Sequence, residues 1–238
     1  MEQINTNLKP EFILFDLDNT LYNYEPSHVS GESSMIEFIT NELSLSEKFV
    51  VKGLSEAREN VKTRLGKTAA SHSRILYVNE FLNKHQICFT TDLIQKAERV
   101  YWDNFLERTV LREHAWDFLQ DVRSLEIPMY LITDLTLQIQ TEKINRLKLQ
   151  NIFRHVISSE DAGGDKVTFK PFELLKQYTK CTGKHFWAIG DKCWDFPQED
   201  DFRGRDFSLV ALKCEHNHEL ANFEQLSDIL RDICKMEV

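Results

Sequence analysis

Residues 12–21 read FILFDLDNTL, in which four apolar residues run into two aspartates, Asp16 and Asp18, separated by one leucine. The apolar run predicts a short strand that is buried on both faces. In an open parallel sheet, ligands bind outside the carboxyl ends of the strands, so both carboxylates stand where chemistry is expected. The alternative is a turn in which an aspartate caps the backbone, and two acids directly after a buried strand disfavour it.

Four further apolar runs predict four more buried strands. They are Met129–Ile132, Val156–Ile157, Phe186–Ile189 and Leu209–Leu212. Between the later runs, apolar residues recur at helical spacing. Strands that alternate with helices require crossover connections, so we expect an α/β fold with a Rossmann-like parallel sheet that is covered on both faces.

This alternation is interrupted by a long stretch after the first strand. Between Asn23 and Glu113 no run predicts a strand, whereas several segments have helical spacing. We therefore predict a helical insertion at residues 23–107 and an α/β core formed by residues 1–22 and 108–238. Glycine is scarce, with 8 in 238 residues, which agrees with a helix-rich chain.

The composition is that of an ordinary globular chain, with 42% hydrophobic and 28% charged residues. The 38 acidic and 29 basic side chains give a net charge of −9, which argues against a general affinity for nucleic acid or anionic membranes. Five widely spaced cysteines without a C-x-x-C pair indicate neither a disulfide framework nor a zinc site. The first ten residues lack the apolar core of a signal peptide, and no apolar run is long enough to span a bilayer. We therefore expect a cytoplasmic protein.

The chain resembles the haloacid dehalogenase-like (HAD) hydrolase superfamily in four motifs, which stand in the family's order at predicted strand ends. They are the D-x-D-x-T of Asp16–Thr20, the Thr133 that ends an apolar run, the Lys170-Pro171 pair, and the G-D-x-x-x-D of Gly190–Asp195. One branch of the family carries a cap domain between the first two motifs. The resemblance thus implies a HAD-like core and a helical cap domain at residues 23–107.

The resemblance also implies a phosphatase that uses Mg²⁺ and an aspartyl-phosphate. Asp16 would be the nucleophile, and Asp18 would protonate the leaving oxygen and later activate water. Thr133 and Lys170 would hold the transferring phosphoryl oxygens. The metal would bind Asp16, the backbone carbonyl of Asp18, Asp191, and Asp195 as a direct ligand or as an anchor behind the ligands. The net negative charge of this set predicts a raised pKa for one carboxylate, with protonated Asp18 as the state that a general acid needs.

Several alternatives remain open at this point. Asp18 favours a phosphatase over the dehalogenases that resemble this chain, which lack that acid, but a phosphomutase needs the same residue. A non-catalytic binding or regulatory protein would keep the fold alone, and a phospho-accepting receiver domain is disfavoured because residues 157–159 contain no aspartate. The expected partner is a small phosphorylated metabolite, a sugar phosphate or a nucleoside monophosphate, with no nucleic acid and no membrane. One basic cluster in the insertion is either a solvated helix edge or a substrate contact: Arg64, Lys67, His72 and Arg74.

Overall fold

The computed structural model describes residues 9–179, 185–192, 195, 208–211 and 222–236. Its centre is a five-stranded parallel sheet with the strand order β3-β2-β1-β4-β5. The strands are β1 (Ile13–Phe15), β2 (Met129–Thr133), β3 (His155–Ser158), β4 (Trp187–Gly190) and β5 (Ser208–Ala211). Each strand coincides with one of the predicted apolar runs, which confirms the α/β fold with a parallel, Rossmann-like sheet. Leu212, the end of the last run, lies outside the described residues.

Helices cover both faces of the sheet. Successive strand residues point to opposite faces, and because both sets are apolar, each face is buried under helices. On one face Phe15 packs against Phe118 of α5 (Ala115–Ser124), and Phe118 in turn packs against Phe223 of α9 (Phe223–Met236). On the other face Leu14 shares an apolar cluster with Phe172 of α8 (Lys170–Thr179). Helix α6 (Leu137–Arg146) connects β2 to β3, and a single turn, α7 (Ser159–Ala162), follows β3. The buried sheet fixes where the strand ends meet.

The stretch after β1 is helical, as its periodicity predicts. It contains α1 (Tyr24–Leu43), α2 (Glu47–Leu65), a 3-10 turn (Ala69–His72), α3 (Arg74–Lys84) and α4 (Thr91–Glu107). Two glycines allow these helices to approach closely. A Cβ at Gly31 of α1 would lie 2.7 Å from the Tyr101 carbonyl oxygen of α4, and a Cβ at Gly53 of α2 would lie 2.3 Å from the Phe81 ring of α3.

The two connections between these helices and the sheet run side by side. Tyr22 and Leu111 form an isolated antiparallel bridge, and the backbone N–H of Arg112 donates to the Leu21 carbonyl at 2.8 Å. These positions lie close to the joins that the sequence predicts near Asn23 and Arg108. Among the described residues, no helix combines the length and the apolar character that a membrane crossing needs.

Candidate active site

Three carboxylates meet at the carboxyl ends of β1 and β4. Asp16 directly follows β1, Asp191 directly follows β4, and Asp195 lies one turn later. One oxygen of each lies within 4.8 Å of the other two. The turn is closed at both ends, since the backbone N–H of Lys192 donates to the Asp195 carboxylate at 2.9 Å and the Asp195 N–H donates to the Lys192 carbonyl at 3.0 Å. The structure thus brings together the three side chains that were predicted around the metal, Asp16, Asp191 and Asp195.

The segment after β1 turns so that its polar side chains meet this cluster. Leu17 is fully buried, and its carbonyl accepts a hydrogen bond from the backbone N–H of Thr20. Asn19 takes a left-handed conformation with φ 69°, which asparagine tolerates better than most residues. The Thr20 hydroxyl then donates to Asp16 Oδ2 at 2.7 Å, and the Asn19 amide donates to Asp191 Oδ2 at 2.7 Å. Both residues orient carboxylates, and neither was among the predicted site residues.

The lysine of the cluster is Lys166 and not Lys170. The buried Nζ of Lys166 forms ion pairs with Asp16 and, at 2.5 Å, with Asp195. The Nζ of Lys170 instead donates to the Gly163 carbonyl at 3.0 Å and is exposed. The resemblance points to Lys170 because the family's third motif is a lysine that is often followed by proline at the start of a helix, and Lys170 does begin α8.

The position of Lys166 depends on the 3-10 turn that precedes α8. The backbone N–H of Lys166 donates to the Asp134 carboxylate at 2.9 Å, which fixes the start of that turn (Lys166–Thr168) beside β2. The sequence does contain the lysine, in the segment GGDK at residues 163–166, where it resembles a flexible turn. Spacing alone does not distinguish two lysines that are four residues apart.

Burial and mutual repulsion perturb the ionisation of this cluster. Burial raises the pKa of Asp16 well above its usual value, and the repulsion from Asp195 adds to this effect while Lys166 opposes it. Burial likewise raises the pKa of Asp191, against the Asn19 hydrogen bond that lowers it. Although burial disfavours its charge, Lys166 has a raised pKa because Asp16 and Asp195 attract it. The carboxylates therefore lack full compensation by protein cations, a condition that a divalent cation with a preference for oxygen ligands would relieve.

The Asp18 carboxylate is held by a different lysine, Lys143. Lys143 of α6 donates to both Asp18 oxygens at 2.7 Å, and the Tyr22 hydroxyl donates to Asp18 Oδ1 at 2.5 Å. Burial alone would raise the pKa of Asp18. The Lys143 charge and the hydrogen bonds from Lys143 and Tyr22 together outweigh this effect, so the pKa of Asp18 lies below its usual value. In this arrangement the pKa of Asp18 is thus lowered, against the expectation of a raised value, and the carboxyl with the strongly raised pKa is Asp16.

Lys143 is itself fully buried in an aromatic cage. Its Nζ lies 5.2 to 6.0 Å from the ring centroids of Phe105, Trp102, Tyr24 and Tyr22. Such rings attract a cation through their electron-rich faces. Because Trp102 and Phe105 belong to α4, a helix of the insertion, the contacts between these rings and Lys143 also join the insertion to α6. Nothing in the helical spacing around Lys143 indicates this role.

A cavity of about 670 Å³ lies over the strand ends. Its wall on the sheet side includes Thr133, which is fully buried and whose hydroxyl accepts a hydrogen bond from the Gln140 amide at 2.9 Å. On the other side, every helix of the insertion contributes residues to the wall. Examples are Tyr24 of α1, Arg58 of α2, Arg74 of α3 and Tyr101 of α4. A molecule bound at Asp16 would therefore contact both parts of the chain.

Comparisons with known proteins agree with this arrangement. A sequence model of the family "haloacid dehalogenase-like hydrolase" matches residues 11–197. A ribulose-1,5-bisphosphate 5-phosphatase from Halopiger xanaduensis is 32% identical over 166 residues, which cover 68% of each chain. Among solved structures, a 2-haloacid dehalogenase from Pseudomonas syringae pv. tomato aligns with a TM-score of 0.70 at 17% identity, over 94% of this chain and 99% of that one.

A second solved structure has the same fold. The HAD hydrolase YfnB from Bacillus subtilis, in a form bound to magnesium, aligns with a TM-score of 0.65 at 15% identity, over 94% of this chain and 99% of that one. The family match contains both the first and the last of the four motifs, Asp16–Thr20 and Gly190–Asp195. This chain belongs to the haloacid dehalogenase-like hydrolase family.

Proposed function

We propose that this protein is a Mg²⁺-dependent phosphatase that hydrolyses a small sugar phosphate through an aspartyl-phosphate. The observation that carries the proposal is the convergence of Asp16, Asp191, Asp195 and Lys166 at the strand ends, beneath a cavity of metabolite size. The relative from Halopiger xanaduensis is named as a phosphatase of a sugar bisphosphate, which favours a sugar phosphate over a nucleoside monophosphate.

The donor set fits magnesium. Asp16, Asp191 and Asp195 offer hard carboxylate oxygens within 4.8 Å of one another, and burial, with a smaller contribution from the repulsion by Asp195, raises the pKa values of Asp16 and Asp191. The solved structure of YfnB is bound to magnesium. When bound, the ion would neutralise carboxylate charge and polarise the phosphoryl oxygens.

The protein's own residues would divide the reaction into two displacements. In the first, an Asp16 carboxylate oxygen attacks phosphorus, the bond from phosphorus to the sugar oxygen breaks, and Asp18 gives its proton to that oxygen. In the second, water attacks phosphorus, Asp18 takes a proton from the water, and the bond to Asp16 breaks to release phosphate. Lys166 and Thr133 would hold the phosphoryl oxygens in both steps, by position and charge more than by covalent chemistry.

This role requires a movement of Asp18. Its carboxylate is ionised and paired with Lys143 in the structure, so it must leave that pair and gain a proton before it can act as an acid. The insertion supplies part of the cage around Lys143. We propose that residues 23–107 act as a cap, whose closure over the substrate excludes water and accompanies the release of Asp18.

The test is release of inorganic phosphate from a panel of sugar phosphates and nucleoside monophosphates, with and without Mg²⁺. The Asp16→Asn variant is the negative control, because asparagine keeps the shape of aspartate but its amide cannot serve as the nucleophile. We expect turnover of sugar phosphates that needs both Mg²⁺ and Asp16. Phosphate release that persists in Asp16→Asn would exclude the aspartyl-phosphate. If folded wild-type protein released no phosphate from any compound of the panel, that result would favour a non-catalytic role.

A further inference from the structure

Three buried side chains in the described part of the chain carry a fixed positive charge: Arg74, Lys143 and Lys166. Two of them are paired with acids, Lys143 with Asp18 and Lys166 with Asp16 and Asp195. Within those same described residues, Arg74 has no carboxylate within ion-pair distance, although it is only 7% exposed. A buried charge is costly unless it is paired, so this arginine requires an explanation.

In the described part of the chain, the hydrogen bonds and ring contacts of Arg74 are all with neutral groups. Its Nη1 donates to the His72 carbonyl at 2.8 Å, and its Nη2 donates to the hydroxyls of Tyr24 at 3.0 Å and Tyr101 at 2.6 Å. The guanidinium also lies over the rings of Tyr101 and Trp102, at 4.5 and 4.9 Å from their centroids. These contacts hold the plane of the guanidinium in a fixed orientation, yet none of them neutralises its charge.

Arg74 lines the same cavity as Asp16 and Lys166. Three glutamates also line this cavity, Glu25, Glu32 and Glu59, but all are exposed. Water therefore screens their charge, and none pairs with the arginine. Burial raises the pKa of half-buried Glu98 of α4 and the Arg74 charge opposes this effect, but in the described part of the chain Arg74 forms no ion pair with this carboxyl. The unneutralised cation thus lies in the wall of the space that the proposed substrate would occupy, on the side opposite to the strand ends.

We propose that Arg74 binds a second anionic group of the substrate, separate from the phosphate that is transferred at Asp16. This inference rests on the proposed function and specifies its substrate class: a phosphorylated sugar whose carbon chain carries another phosphate or a carboxylate. A planar guanidinium suits both groups, because it donates two parallel hydrogen bonds to a pair of oxyanion oxygens. The orientation imposed by Tyr24, Tyr101 and Trp102 reduces the entropy lost on binding.

The first experiment compares three substrates of related size: glucose 6-phosphate, glucose 1,6-bisphosphate and 6-phosphogluconate. We expect kcat/KM to be about 10- to 100-fold higher for at least one of the two compounds with a second anionic group, the range of a charge-assisted pair. A preference for the bisphosphate identifies a phosphate as the second group, and a preference for 6-phosphogluconate identifies a carboxylate. Equal kcat/KM for all three compounds would overturn the inference.

The second experiment assigns the preference to a residue. In Arg74→Gln, the ratio of kcat/KM between the preferred compound and glucose 6-phosphate should fall to within about 3-fold of unity, chiefly through a higher KM for the compound with two anionic groups. The matched control is Arg64→Gln, which removes an exposed arginine of the same insertion that pairs with Glu80 at 3.0 Å. The control should keep the full preference. An Arg74→Gln variant that loses activity equally on all three substrates would show a structural role instead.

Binding to the full-length Asp16→Asn chain separates this inference from the proposed function and does not depend on the folding of an Arg74 variant. Isothermal titration with the same three compounds should show the same order of affinities. If wild type hydrolyses none of them while Asp16→Asn still prefers a compound with two anionic groups, the phosphatase proposal fails and the Arg74 site stands. If wild type hydrolyses these compounds and Asp16→Asn binds all three with equal affinity, the Arg74 inference fails and the phosphatase proposal stands.

Discussion

The pair between Lys143 and Asp18 gives a quantitative prediction for Lys143→Met. Methionine has a similar length and can fill the aromatic cage. It removes the ammonium group, however, so that of the two side chains that donate to Asp18, Lys143 and Tyr22, only the Tyr22 hydroxyl remains. Removal of one partner of a buried pair costs about 3–5 kcal/mol. The Asp18 side chain is 24% exposed and can recover some hydration, so we expect the lower end, about 3 kcal/mol. For a chain of this size, that loss lowers Tm by roughly 6–12 °C.

Equilibrium urea denaturation, followed by circular dichroism, measures this loss. The double variant Asp18→Asn/Lys143→Met has no unpaired charge and should recover more than half of the lost stability, because the penalty comes mainly from the isolated carboxylate. The matched control is Arg231→Met, which removes an exposed pair with Asp121 at 2.8 Å and should cost only about 0–1 kcal/mol. A double variant as unstable as Lys143→Met would refute the electrostatic explanation and point to packing.

The same pair predicts a pH dependence. Because the folded-state pKa of Asp18 lies below its usual value of 3.8, the pair stabilises the protein above that value and loses its effect as the pH falls through the folded-state pKa. The stability difference between wild type and Lys143→Met should therefore shrink on acidification below about pH 4. A difference that stays constant from neutral pH down to that range would contradict the assigned ionisation.

Three further outcomes follow from the structure. Lys166→Met should lower kcat by about 10²–10³-fold or more, whereas Lys170→Met should leave it within about 3-fold, and a similar loss in both variants would argue against the assignment of Lys166. Gly53→Ala should lower the free energy of unfolding by about 1–3 kcal/mol, measured in urea, because the added Cβ would meet the Phe81 ring. Removal of divalent cations with EDTA should abolish phosphate release, and Mg²⁺ should raise Tm by relieving the repulsion around Asp16, so an unchanged rate and Tm would exclude the metal.

The sequence by itself determines the core of this protein. Short apolar runs such as residues 12–15 and 129–132 can be buried only in a sheet that helices cover on both faces, and the helical spacing between them excludes hairpins. The same local logic places Asp16, Thr133 and Asp191 at the ends of their strands, because each stands one or two positions after the last residue of an apolar run. These features depend on neighbours in the chain, which the sequence displays.

Tertiary structure decided which charged groups meet. Lys166 and Lys170 are both plausible partners for Asp16 in the sequence, and the 3-10 turn fixed by Asp134 selects the first. Lys143 reaches Asp18 across 125 positions of the chain, in a cage built by the insertion. Arg74 is a surface residue by composition and a buried cation in the fold. Burial and ion pairing act through space and depend on the local dielectric, so these roles follow from packing between elements and not from any pattern within one.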